Sequence, residues 1–197
     1  FSILSISSSS KFTISAWIKR ENSLFNPVIT KWPNEWWFGT YNSDIHYTNN
    51  NNSFGSYGAS KMSSGANLTY GSWEHISITR NQNHLFYFVQ GLMIDQEVAD
   101  YTFSAGNTAV LIGSASNGSF FNGLIDNLRV YNRALSAFEV QTLYQMEKPK
   151  EVLTDANFHN AVNLWFTDEV NATSTYGHIQ DWNTSGVTNM SGAFQNR

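Results

Sequence analysis

Between Phe12 and Tyr131 the chain is a series of short β-type runs separated by clusters of Asn, Gly and Ser. This spacing is that of a β-sandwich or jelly roll, in which each strand must end before the sheet edge and turn back. The runs are Phe12 to Lys19, Val28 to Trp32, Glu35 to Tyr41, Asp44 to Thr48, Trp73 to Arg80, His84 to Gln90, Leu92 to Val98, Ala109 to Ile112 and Phe120 to Tyr131. Within them the alternation is of period two: Ile76 and Ile78 alternate with Ser77 and Thr79, and Phe86 and Phe88 with Tyr87 and Val89. Successive side chains of a strand leave on opposite faces, so each run has one core face. Gln90-Gly91 reads as a tight hairpin, since two-residue turns demand positive φ. Asn49 to Gly58, NNNNSFGSYG, reads as a long surface loop. Only 13% of residues are charged while 15% are aromatic. That balance suits a mainly β protein with polar turns better than a helical bundle.

After Tyr131 the pattern changes. Ser136 and Glu139 stand three apart, the spacing of a capping box, and Leu135 and Val140 would form the accompanying hydrophobic staple, which predicts a short helix over Ala137 to Met146. Glu147-Lys148-Pro149-Lys150-Glu151 is charged and carries a helix-breaking proline. Beyond it, Phe158, Ala161, Val162 and Trp165 fall on one stripe of a helix that Thr154 or Asp155 could cap. The expected organisation is a jelly roll over residues 1–146, a linker over 147–153, and a helix with an irregular, polar segment over 154–197.

The formal net charge is −4 and no basic cluster occurs, which argues against a nucleic-acid partner. The longest apolar stretches, such as Leu85 to Val89, fall far short of the roughly 20 residues that span a bilayer, so no membrane insertion is expected in this segment. There is no Cys, which removes disulfides and thiolate chemistry. The chain opens on Phe1 without a charged and apolar leader, and is expected to be a segment of something longer.

Three stretches carry a resemblance: Phe12 to Lys19 (FTISAWIK), Trp73 to Thr79 (WEHISIT), and Phe121 to Ser136 (FNGLIDNLRVYNRALS). In order and spacing they resemble the laminin-G-like branch of the concanavalin A-like lectin/glucanase superfamily, over about residues 1 to 146. The resemblance implies a sandwich of two curved antiparallel sheets, and members that are mostly carbohydrate-binding, lectin-like or adhesion domains. The family's usual calcium-bearing Asp and Gly loop has no acidic counterpart ahead of Phe12. The stretch from His178 to Phe194, HIQDWNTSGVTNMSGAF, is similar to one unit of the BspA-type bacterial surface-protein repeat. In such a unit Trp182, Val187, Met190 and Phe194 would share a core. That likeness implies a secreted or cell-surface placement and further copies of the repeat.

Glycoside hydrolysis needs two carboxylates facing each other about 5 to 9.5 Å apart. The nearest approximations are Asp95 and Glu97 on one run, with Glu35, Asp44 and Asp126 isolated, so no catalytic residue is assigned. Sugar recognition needs flat rings with polar groups at their edges. Trp32, Trp36, Trp37, Tyr41, His46 and Tyr47 concentrate such groups and are the candidate glycan site. Trp36 and Trp37 are adjacent and must face opposite ways. Trp17 and Trp73 are assigned to packing. The five His show no metal-ligand spacing, so zinc is not expected, and Asp126 is the candidate calcium ligand. The expected function is a non-catalytic carbohydrate-binding module with a polysaccharide or glycan as partner. The alternatives are a protein-adhesion or spacer domain that binds a surface protein, and, further off, a glycoside hydrolase.

Overall fold

The period-two alternation builds a strand at each expected run, and a short one not read from the sequence, β5, joins them: β1 (Phe12–Arg20), β2 (Asn26–Thr30), β3 (Trp36–Tyr41), β4 (Asp44–Asn49), β5 (Ser60–Met62), β6 (Trp73–Asn81), β7 (His84–Val89), β8 (Leu92–Val98), β9 (Leu111–Ile112) and β10 (Gly123–Tyr131). The structure is a computed structural model that describes residues 11–22, 24–31, 36–49, 60–62, 65–98 and 109–195. The expected Asn49 to Gly58 loop lies outside them, apart from Asn49, which ends β4. The chain divides into two compact units, Phe1–Tyr144 and Gln145–Arg197.

In the first unit the strands among the described residues form two five-stranded antiparallel sheets, β10-β1-β6-β7-β8 (sheet A) and β5-β4-β3-β2-β9 (sheet B). This is the two-sheet sandwich expected of a concanavalin A-like jelly roll. Ile14, Ala16 and Ile18 of β1, Ile76 and Ile78 of β6, and Leu85 and Tyr87 of β7 meet Val28, Ile29, Trp36, Phe38, Ile45 and Tyr47 of sheet B in one buried cluster. Each of the large side chains contributes about 1.5–3 kcal/mol by leaving water.

The outer face of sheet A is covered. Ser136 and Glu139 form the expected capping box: Glu139 N donates to Ser136 Oγ at 3.3 Å and Ser136 N to Glu139 Oε2 at 2.8 Å. The helix they start, α1 (Ala137–Glu147), buries Leu135 and Val140 against Phe88. Trp17, 6% exposed, packs here and not between the sheets, with Tyr144 stacked on it at 5.7 Å. The β7–β8 turn has Gln90 at φ 51° and Gly91 at φ 75°, the two positive values the hairpin requires. A Cβ on Gly91 would also stand 2.9 Å from Tyr144 Cβ, so glycine is needed twice over. Trp73, by contrast, begins β6 and is 38% exposed, because a strand's first residue has less around it to pack against.

The second unit has its own core. Phe158, Ala161 and Val162 of α2 (Phe158–Thr167) are buried with Leu153 and Ala193, and Trp182 and Val187 pack against them. Residues read as a linker belong to this unit, since Leu153 is 2% exposed and Glu151 N donates to Thr175 O at 2.8 Å. Asp155 does not cap α2. Its carboxylate accepts from Thr188 N (2.6 Å), Thr188 Oγ1 (2.5 Å) and Asn189 N (2.9 Å), three donors of one turn that together outcompete a single helix N–H. A helix not marked by any apolar stripe, α3 (Glu169–Tyr176), follows, started by Asp168 accepting from Asn171 N at 3.0 Å. Of the four expected repeat-core residues, Met190 and Phe194 stay 42% and 49% exposed.

Candidate glycan-binding face

Along β3, side chains alternate strictly. Trp36 and Phe38 enter the inter-sheet core, whereas Trp37 joins a separate cluster with Phe25 and Ala115 on the other face of sheet B. His46 sits opposite Gly39 in the β3–β4 register, so it shares that outer face with Trp37 and Tyr41. Gly39 makes the arrangement possible. A Cβ there would stand 2.8 Å from Trp37 Cη2 and 2.1 Å from Asn26 O, so the missing side chain is the space the indole occupies.

The rings form a connected group. Phe25 stacks on Tyr41 with centroids 4.2 Å apart and planes 18° from parallel. Trp37 and His46 lie 4.9 Å apart, and Phe25 reaches both, edge-on to Trp37 at 6.1 Å and tilted to His46 at 5.8 Å. Phe25 and Tyr41 are half-buried, while Trp37 is fully buried and His46 is 5% exposed. Trp37 Nε1 and both ring nitrogens of His46 find no hydrogen-bond partner. Burial alone lowers the His46 pKa to about 4, so the imidazole is neutral at pH 7. The outer face of sheet B thus presents a half-buried pair of stacked rings, Phe25 and Tyr41, packed against a sealed indole and a neutral imidazole.

The expected site residues therefore separate. Tyr41, His46 and Trp37 come together on the outer face. Trp36 and Tyr47 are fully buried between the sheets, Tyr47 against Phe12 at 5.7 Å, and have no face to offer a ligand. Trp32 lies outside the described residues. Phe25 was missed: it precedes β2 and its Pro27, so no strand alternation marks it. Asp126 is exposed on β10, and its Oδ1 accepts from Asn127 N at 2.7 Å. Among the described residues no group of three or more His, Asp and Glu could hold a metal ion. Asp95 and Glu97 lie on the edge strand β8, half-buried, with the Tyr87 hydroxyl donating to Glu97. Glu35 is outside the described residues.

With this geometry in place, the family can be assigned. A model of the Concanavalin A-like lectin/glucanases superfamily matches residues 2–141. The chain belongs to that superfamily. The match ends before the repeat-like stretch, 178–194. Solved structures similar to this concanavalin A-like chain include domain 4 of a GH43 extracellular arabinanase from Geobacillus stearothermophilus, in complex with arabinotriose. It is 20% identical with a TM-score of 0.57, over 72% of this chain and 68% of that one. The receptor binding domain of a botulinum neurotoxin C/D mosaic serotype is 14% identical with a TM-score of 0.56, over 75% of this chain and 39% of that one. The binding domain of Paraclostridial Mosquitocidal Protein 1 is 20% identical with a TM-score of 0.52, over 76% of this chain and 40% of that one. These likenesses show a shared concanavalin A-like fold. No curated protein matches the chain.

Proposed function

We propose that the jelly-roll unit is a non-catalytic carbohydrate-binding module that holds a glycan on the outer face of sheet B. The observation that carries this reading is the stacked, half-buried pair Phe25–Tyr41 on that face, packed against Trp37 and His46. A sugar can lay a C–H face on the exposed part of these two rings, with its hydroxyls at their edges. The arabinanase domain holding arabinotriose on the same fold supports the reading. In the same proposal the module acts outside the cell, and the 178–194 stretch serves as a surface-protein repeat unit whose Met190 and Phe194 remain half-exposed.

A glycan array followed by affinity gels, run with and without calcium, tests this. Tyr41→Ala or Phe25→Ala should weaken retention about tenfold, the worth of one ring contact, and leave far-UV circular dichroism intact. Trp73→Ala, outside the cluster, should change nothing. If neither ring variant alters retention, or if no glycan is retained, the assignment of this face fails. Dependence on calcium would bring Asp126 back as a ligand. A protein-adhesion reading is favoured by Ile112 and Phe120, 63% and 71% exposed on either side of the turn that Ser114 and Phe120 close. Phe120→Ser should leave glycan retention unchanged if the sugar reading holds.

A further inference from the structure

The second unit contains a cavity of about 540 Å³, which falls within the ~300–1,000 Å³ common for small-ligand sites. It opens where the 150–153 segment runs past the C-terminal end of α3. Lys150 closes one side of that end: its Nζ donates to Gln145 O at 2.8 Å and Ser174 O at 3.2 Å. The ammonium is thereby committed to carbonyls, the favourable place for a cation at a helix C-terminus. At Gly177, φ 87°, the chain leaves the helix and brings His178, Asp181 and Asn183 to the opposite rim.

Three features of the cavity define its ligand. Met146 and Val152 line it and are 73% and 74% exposed, so two apolar surfaces face the cavity where solvent-facing polar residues would be ordinary. The rim is rich in unused hydrogen-bonding capacity. No described residue bonds the Asp181 carboxylate, and Asn183 spends only its Oδ1, on Ser185 N at 3.0 Å. His178 accepts from Gln180 N through Nδ1 at 3.3 Å, and no described residue bonds its Nε2. Finally, the lining carries little charge to recognise an ion: the carboxylates of Glu151 and Asp181 stand with one cation, Lys150, whose ammonium is already held by carbonyls. An anion gains no net attraction there. We infer that this cavity is a second saccharide site, taking a neutral sugar unit whose C–H face meets Met146 and Val152 and whose hydroxyls bond Asp181, Asn183 and His178. It is separate from the sheet B face and does not depend on it.

The test is a titration of the ¹⁵N-labelled full chain with glucose, galactose, arabinose and maltose, with putrescine and glucuronate as charged counterparts. The neutral sugars should give saturable shifts at the amides of Gly177, His178, Asp181 and Asn183. Asp181→Asn and Asn183→Ala, both at exposed positions, should each weaken that response about tenfold, the loss of one or two hydrogen bonds, without loss of spectral dispersion. Tyr41→Ala should leave it unchanged. Saturable shifts with putrescine or glucuronate in place of sugars would overturn the inference. So would sugar-induced shifts confined to the first unit, which would still support a glycan on sheet B, and so would the absence of any sugar response.

Discussion

His46 and His75 are each held neutral by burial, with pKa values lowered to about 4 from 6.5. His75 lies in sheet A with Nε2 2.8 Å from Ser15 Oγ. Between pH 6.5 and 4 the unfolded chain binds these protons and the folded chain does not, so stability is full above about pH 6.5 and falls as pH drops toward 4. Each histidine should account for up to about 3 kcal/mol of that loss. Urea midpoints measured from pH 7 to pH 4.5 should fall steeply, and His46→Phe should flatten the slope; an unchanged slope would remove His46 from the account. Gly39→Ala should cost about 1–3 kcal/mol, read as a lower urea midpoint at constant m-value, because the added Cβ meets the Asn26 carbonyl. At this scale the sequence was only partly legible. The adjacency of Trp36 and Trp37 announced opposite faces, and the structure agrees. That Trp37 would also be sealed from solvent depends on Phe25 and Ala115, residues that reach it from loops, and loop paths leave no periodic signal.

Elements were more legible than sites. Most of the expected strands lie within two or three residues of their observed bounds, because one buried face forces period two and a slip of one residue would expose every core side chain. The exceptions have physical reasons. β5 (Ser60–Met62) is a three-residue edge strand, too short to alternate, and α3 buries only Ala172 and so shows no stripe. The capping box of α1 was readable because both its partners lie within one turn, and Ser136→Ala should lower stability by about 1 kcal/mol. The measurement is the denaturation midpoint of the first unit, followed through the near-UV signal of Trp17 beneath Tyr144. No change in midpoint would mean that the bonds between Ser136 and Glu139 add nothing beyond solvation.

At the level of the whole molecule, each unit has a buried cluster of its own, one spread between two sheets and the other centred on Phe158. Phe158→Ala should therefore destabilise residues 145–197 by about 3–5 kcal/mol and leave the jelly-roll transition in place. Hydrogen exchange would show this as lost protection in α2 with β1 and β6 unaffected; a single shifted transition throughout would contradict it. The topology of sheet A has a further consequence. The interior strand β1 finds one neighbour in β6 and the other in β10, where Thr13 lies opposite Tyr131. Thr13 also bonds Arg133 O and Leu135 N, 120 and 122 residues away along the chain. A ribosome must thus deliver nearly the entire first unit before the strand it made first can be enclosed on both sides, so this fold should mature late and slowly, with nascent β1 the segment most in need of a chaperone's cover.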